Sequence, residues 1–258
     1  MDNPIIAKLE ENARLLKLHR ISERIEATLE TAGKDNPSYA DFLLRVMDEE
    51  LAVKREKQTS LATSMAKFPY VKTLESFDFS FQPSIDSRHV KELGACVFIE
   101  RGENVILLGP PGTGKTHLAV ALGLKAISNR YRVLFISAAS LVASLNKAYA
   151  ENKLEDKLKQ YCMPKLLIID EIGYVPVDTH GAHLLFQIIS RRYEHSSIIL
   201  TSNRGFGHWD EIFGDTIIAT AILDRLLHHS TVINIKGKSY RLREKKRAGL
   251  LKGATNEQ

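Results

Sequence analysis

The segment Gly109-Pro-Pro-Gly-Thr-Gly-Lys115-Thr116 constrains this chain more than any other. It follows the apolar run Val105-Ile-Leu-Leu108 and opens a stretch, 115–128, whose apolar spacing is helical. Its glycines let successive backbone N–H groups curl around an anion without Cβ clashes, and the helix N-terminus adds partial positive charge. Strand, glycine-rich loop and helix, in that order, are the context in which G-x-x-x-x-G-K-[ST] binds phosphate. The candidate nucleotide-binding residues are therefore Gly109, Pro110, Pro111, Gly112, Thr113, Gly114, Lys115, Thr116 and His117. Lys115 is placed for the β- and γ-phosphates of ATP and the Thr116 hydroxyl for Mg²⁺.

Around this loop the text alternates short apolar runs with helical stretches. The other runs are Val133-Leu-Phe-Ile136, Leu166-Leu-Ile-Ile169, Ile198-Ile-Leu200 and Val232-Ile-Asn-Ile235. Helices fit at 140–150, 181–193 and 217–227. Short, nearly all-apolar runs are expected of strands buried on both faces of a parallel sheet. The expected class is α/β, a parallel sheet of about five strands with flanking helices. In such sheets ligands bind beyond the carboxyl ends of the strands, where two further signals fall. Leu166-Leu-Ile-Ile ends in Asp170-Glu171, with Asp170 suited to Mg²⁺ and its hydration shell and Glu171 to orienting and deprotonating an attacking water. Ile198-Ile-Leu ends in Thr201-Ser202-Asn203, and the Asn203 amide can contact both a γ-phosphate and that water. Arg225, in Leu223-Asp-Arg-Leu226, can serve a neighbouring subunit's γ-phosphate, the alternative being a surface pair with Asp224. The acidic pair argues against a small-molecule kinase, whose acceptor needs no activated water.

The flanks differ. Residues 4–66 read as helix, broken once at 31–37, with Gly33 expected just past a helix end and Ser38 as an N-cap. Acids and bases nearly balance there, which fits packing, oligomerisation or partner binding. Thr73-Leu-Glu-Ser-Phe-Asp-Phe-Ser-Phe-Gln-Pro83 reads as a docked linker. Expected boundaries are 1–67 helical domain, 68–87 linker, 88–235 nucleotide domain and 236–258 basic tail. In that tail Lys236, Lys238, Arg241, Arg243, Lys245, Lys246, Arg247 and Lys252 face one acid before Glu257, Glu244, so it carries more surplus than the net +5 of the chain. Such density suits DNA phosphates or a solvated tail. Lys147, Lys153, Lys157 and Lys159 are a second DNA candidate, interleaved with Glu151, Glu155 and Asp156, which equally suits a solvated helix face. His228-His229 does not read as a metal site, because adjacent helical residues point about 100° apart and no Cys or acid completes a set. Cys96 and Cys162, far apart, fit plain thiols in a reducing compartment. No run of about 18 apolar residues occurs, and the charged start lacks a signal-peptide core, so no membrane is expected.

Together GPPGTGKTHLA, LLIIDEIGY, IILTSNRGF and AILDRLLHHSTVINIKGKSYRLRE resemble the AAA+ ATPases of the helicase-loader branch. Within it the chain closely resembles the IstB-type transposition helpers, over nearly its whole length. The resemblance implies a bacterial, cytoplasmic, nucleoid-associated ATPase that forms a ring or helical homo-oligomer on double-stranded DNA and recruits or activates a transposase. It implies Lys115 and Thr116 at ATP and Mg²⁺, Asp170 and Glu171 as the acidic pair, Asn203 as phosphate sensor and Arg225 as arginine finger. Alternatives are a replicative helicase loader of the DnaC type and a nucleotide-gated DNA adaptor with little hydrolysis. One departure is expected: the residues after Ile235 are too polar and basic to fold as the multi-helix lid of many AAA+ relatives. Closure of the nucleotide is then left to neighbouring subunits or to Phe77, Phe79 and Phe81.

Overall fold

The computed structural model describes residues 3–174 and 177–247, the side chains of 244–247 excepted. The chain divides near Leu61 into two units. The first contains α1 (Pro4–Leu15), α2 (His19–Asp35) and most of α3 (Tyr39–Met65). Asn3 caps α1 through its side-chain oxygen, which accepts the Ile5 N–H at 3.0 Å, and Pro4 sits where no N–H is needed. α2 has no cap of its own. Instead the Glu50 carboxylate of α3 accepts the Arg20 and Ile21 N–H groups at 2.8 and 3.1 Å, which explains an acid that is nearly fully buried. The breaks differ from expectation. Gly33 lies inside α2, and Asn36, at φ 46°, takes the left-handed cap position that a short polar side chain tolerates. A second break at Lys17, φ 57°, separates α1 from α2. Ser38 accepts the Asp41 N–H at 3.2 Å, as its sequence position suggests.

The second unit opens with α4 (Ser87–Leu93) and α5 (Val97–Glu100), followed by β1 (Asn104–Leu108), α6 (Lys115–Ser128) and β2 (Val133–Ser137). Then come α7 (Ala138–Ala150), α8 (Leu154–Cys162), β3 (Leu166–Ile172), α9 (Thr179–Arg192) and β4 (Ser197–Ser202). α10 (Trp209–Phe213), α11 (Thr216–Leu227), β5 (Ser230–Asn234) and α12 (Tyr240–Arg247) complete it. All strand pairs are parallel, in the order β2-β3-β4-β1-β5.

Strand side chains alternate between two cores. Val105, Leu107, Ile168 and Ile199 pack with α6 and with Leu74, Phe77 and Ile85 of the linker. Ile106, Leu108, Leu167, Ile169 and Leu200 pack with α7, α9, α10 and α11. β5 departs from the expected doubly buried strand. It begins two residues earlier and lies at the sheet edge, with Val232 exposed and Ile233 buried.

Arg192 ends α9 and is almost completely buried. Its Nη1 donates to the Tyr161 and Pro164 carbonyls at 2.9 Å each, and its Nη2 to those of Lys165 and Ser197 at 3.2 and 2.8 Å. The guanidinium thus ties the end of α8 to the starts of β3 and β4. Burial pushes its pKa down to about 10, leaving it charged at neutral pH. Arg192→Met removes these donors while filling much of the volume. The expected cost is about 3 kcal/mol. Thermal unfolding should show a midpoint lower by roughly 6–12 °C.

Candidate active site

After β1 the chain makes a tight loop that needs glycine at three places, the first being Gly109 at φ 148°, where a Cβ would collide with the Ile235 carbonyl. Gly112, φ 79°, and Gly114, φ 100°, adopt left-handed conformations. A Cβ on Gly112 would collide with Ser239 Oγ, and one on Gly114 would lie 2.6 Å from Phe77 Cε2. The loop is braced by Thr113 Oγ1, which donates to the Pro110 carbonyl at 2.8 Å. Lys115 Nζ donates to the Gly109 and Pro110 carbonyls at 2.7 and 2.9 Å. α6 starts at Lys115 with no side-chain cap, so its first N–H groups remain available to an anion. Burial lowers the Lys115 pKa, and the Asp170 charge opposes that shift.

The strand ends supply acids and hydroxyls beside the loop. Thr116 Oγ1 donates to both Asp170 oxygens, at 3.0 and 3.1 Å. Thr201 Oγ1 donates to Asp170 Oδ1 at 2.6 Å and accepts the Glu171 N–H at 2.9 Å. The β3–β4 register shifts between Ile169 and Ile172, and Glu171 sits in that irregularity at φ 63°. A bulge of this kind re-aims a side chain: Asp170 stays buried, while Glu171 is exposed and lines the cavity. Asn203 also lines it, with Oδ1 buried and unpartnered.

The cavity measures about 580 Å³, within the range of small-molecule sites. The loop forms its floor. Tyr70, Thr73 and Phe77 of the linker form one wall, and Tyr240 and Arg241 of α12 another. His117 joins loop to linker, its Nε2 lying 2.9 Å from the Thr73 carbonyl oxygen and 3.2 Å from Ser76 Oγ. Burial lowers its pKa.

The wall from α12 revises the expected free tail. The Tyr240 N–H donates to the Gly112 carbonyl at 2.9 Å. Arg243 pairs with Asp78 at 2.9 Å, between the rings of Phe81 and Tyr240 at 4.0 and 4.4 Å. The Ser80 hydroxyl and then Arg243 hold the Asp78 carboxyl at about 2. Arg241 and Arg243 therefore belong to the cavity wall and its bracing, whereas Lys236 and Lys238 are exposed. The side chains of Lys245, Lys246 and Arg247, and the whole of Lys252, lie outside the described residues. Lys147, Lys153 and Lys159 are exposed, and Lys147 and Lys153 share Glu151 at 3.9 and 4.0 Å. Lys157 is half-buried beside the Tyr161 ring. Arg225 does not line the cavity. Its guanidinium lies 4.6 Å from the Phe186 ring, and Nη1 donates to the Ala221 carbonyl.

Sequence reasoning missed Thr201 and Tyr240 and gave Arg241 to DNA, not to the cavity wall. Thr201 stood in a motif already singled out, but nothing in the text says that its hydroxyl bridges Asp170 to Glu171.

The sheet order, the loop after β1 and the acidic end of β3 define a P-loop nucleotide-binding fold of the AAA+ type. Solved structures agree on the fold. The DnaC helicase loader superposes with a TM-score of 0.51 at 23% identity, over 64% of this chain and 96% of that one. AMPPCP-bound DnaA from Aquifex aeolicus gives 0.55 at 23%, over 73% and 59%. The family described as IstB-like ATP binding protein matches residues 11–248, and the chain belongs to that family. It is 52% identical over 236 residues to the ATP-binding protein of insertion sequence IS21 from Pseudomonas aeruginosa, covering 92% of this chain and 89% of that one. It is 49% identical to the IS5376 counterpart of Geobacillus stearothermophilus, over 93% and 95%. Among the described residues no helix is long and apolar enough to cross a membrane.

Proposed function

We propose that this chain is an ATP-hydrolysing enzyme that assembles as an oligomer on double-stranded DNA and brings a transposase to it or activates it there. The observation that carries the reading is the hydrogen-bonded chain Thr116–Asp170–Thr201–Glu171 beside the glycine loop. In it a hydroxyl and a carboxylate meet beside the glycine loop, with a second, exposed carboxylate alongside.

The residues fit ATP with Mg²⁺. A Cβ at Gly112 or Gly114 would crowd the cradle, and the donor set at Thr116 and Asp170 is hard oxygen, as Mg²⁺ requires. Bound there, Mg²⁺ supplies charge neutralisation at the β- and γ-phosphates. The loop and α6 N–H groups with Lys115 hold those phosphates. Glu171 accepts a proton from the attacking water, and Asn203 orients that water through its amide. Arg225 of a neighbouring protomer approaches the γ-phosphate. The N-terminal unit supports an assembly or partner role, since Ile5, Leu15, Leu16, Tyr39 and Leu44 are exposed apolar residues. Relatives at 52% and 49% identity carry insertion-sequence names, which favours transposition over helicase loading.

Lys147, Lys153, Lys159, Lys236 and Lys238 are the exposed cations we assign to DNA phosphates. Fluorescence anisotropy of labelled duplex across a salt series tests this, in ATP and in ADP. Tight binding is expected in ATP only. Replacing Lys236 and Lys238 by alanine should lessen the logarithmic salt slope by about 0.9 for each phosphate no longer neutralised. Equal affinity in ATP, in ADP and without nucleotide would overturn the proposal.

A further inference from the structure

Away from the nucleotide cavity, one cluster of metal-ligating side chains stands out among the described residues. Glu194, His228 and His229 each bring one ligand atom to within 4.8 Å of the others. The histidines follow the end of α11, and Glu194 lies in the turn between α9 and β4. The cluster therefore sits at the N-terminal edge of the sheet, beside the starts of β4 and β5. The phosphate loop lies at the opposite edge. We propose that Glu194, His228 and His229 form a surface site for a borderline transition-metal cation of the Zn²⁺ class.

The donor chemistry sets the class. Two imidazoles and one carboxylate are the ligands of zinc sites that keep a fourth position open. Imidazole nitrogen selects against Mg²⁺ and Ca²⁺, so this site does not compete for the ion used with ATP. Glu194 Oε1 lies 3.6 Å from His229 Nε2 and 4.0 Å from His228 Nδ1, and the two imidazole rings are 4.0 Å apart. Ligands on a tetrahedral zinc with bonds of 2.0–2.1 Å lie about 3.4 Å apart, so exposed side chains need close by only about an ångström.

The frame is rigid on both sides. The buried Arg192, two residues before Glu194, anchors the turn through four carbonyls, and Glu194 itself is held at φ 60°. On the other side, the His229 carbonyl accepts the Asn104 N–H at 2.8 Å. The Tyr193 hydroxyl lies 2.6 Å from His228 Nδ1. The carbonyl end of α11 adds a negative partial charge that favours a cation. The sequence hid the site because its acid comes from a turn far earlier in the chain.

Titration of the full chain with Zn²⁺ by calorimetry, and with Co²⁺ by visible absorption, tests the proposal. One equivalent per chain is expected, with Co²⁺ showing d–d bands and no thiolate charge-transfer band. Glu194→Gln and His229→Ala should weaken binding at least about tenfold. ATP affinity of the same variants should match the parent and reports that they are folded. Parental metal affinity in a His228→Ala/His229→Ala chain would overturn the site. So would a thiolate band, or the lack of any saturable equivalent in the parent.

Discussion

Glu171→Gln should bind ATP with parental affinity and hydrolyse it at least about a hundredfold more slowly. The geometry separates the two effects. In the proposed site phosphate is held by the loop, the α6 N–H groups and Lys115, none of which touches the Glu171 carboxylate. That side chain is presented by the irregularity in β3, where its own N–H is fixed by Thr201 Oγ1 at 2.9 Å. Glutamine keeps the size and the backbone bond, and loses only the ability to take up a proton. A left-handed non-glycine residue at a strand end is a costly conformation, and its persistence here fits a carboxylate that must face the cavity. Titration with a fluorescent ATP analogue and steady-state phosphate release, each with duplex DNA present, provide the two readouts. Turnover at the parental rate would remove Glu171 from the chemistry.

The parts of this site that were legible in sequence are those whose chemistry and context are contiguous. Gly109–Thr116 announces itself because strand, glycines, lysine and helix follow one another within a few residues. Asp170, Glu171 and Asn203 were legible because polar residues ending buried strands of one parallel sheet must emerge on one edge. The illegible parts depend on partners distant in the chain. The basic run after Ile235 reads as a free tail, suited to DNA phosphates or to solvent. Its docking is decided by Gly112, which leaves room for Ser239, and by Asp78 and Phe81, which receive Arg243. Arg192 looks like any charged helix end until the Tyr161, Pro164, Lys165 and Ser197 carbonyls converge on it. At 31–37 the breaker was visible. Propensity alone put the left-handed residue at Gly33, whereas the helix continued and Asn36 took that conformation.

The second large effect concerns Arg225, and it requires two copies of the chain. Arg225 is half-buried and spread over Phe186, with Nη1 on the Ala221 carbonyl, and it does not line its own protomer's cavity. A contribution to hydrolysis must then be made in a neighbour's cavity. Arg225→Ala should retain ATP affinity, since Lys115 and the loop are intact, and lose roughly 10³–10⁵ in hydrolysis rate. Lys115→Ala should fail to bind ATP, because the loop's own cation is gone, yet it still presents Arg225. Mixing the two inactive proteins should therefore restore activity. With random assembly in equal amounts, roughly one interface in four joins an intact cavity to an intact arginine, so about a quarter of the parental rate is expected. An Arg225 that acts within its own protomer, or only pairs with Asp224 at the surface, predicts a mixture no more active than its components. Phosphate release from the mixture, against each variant alone at the same total concentration, decides between them.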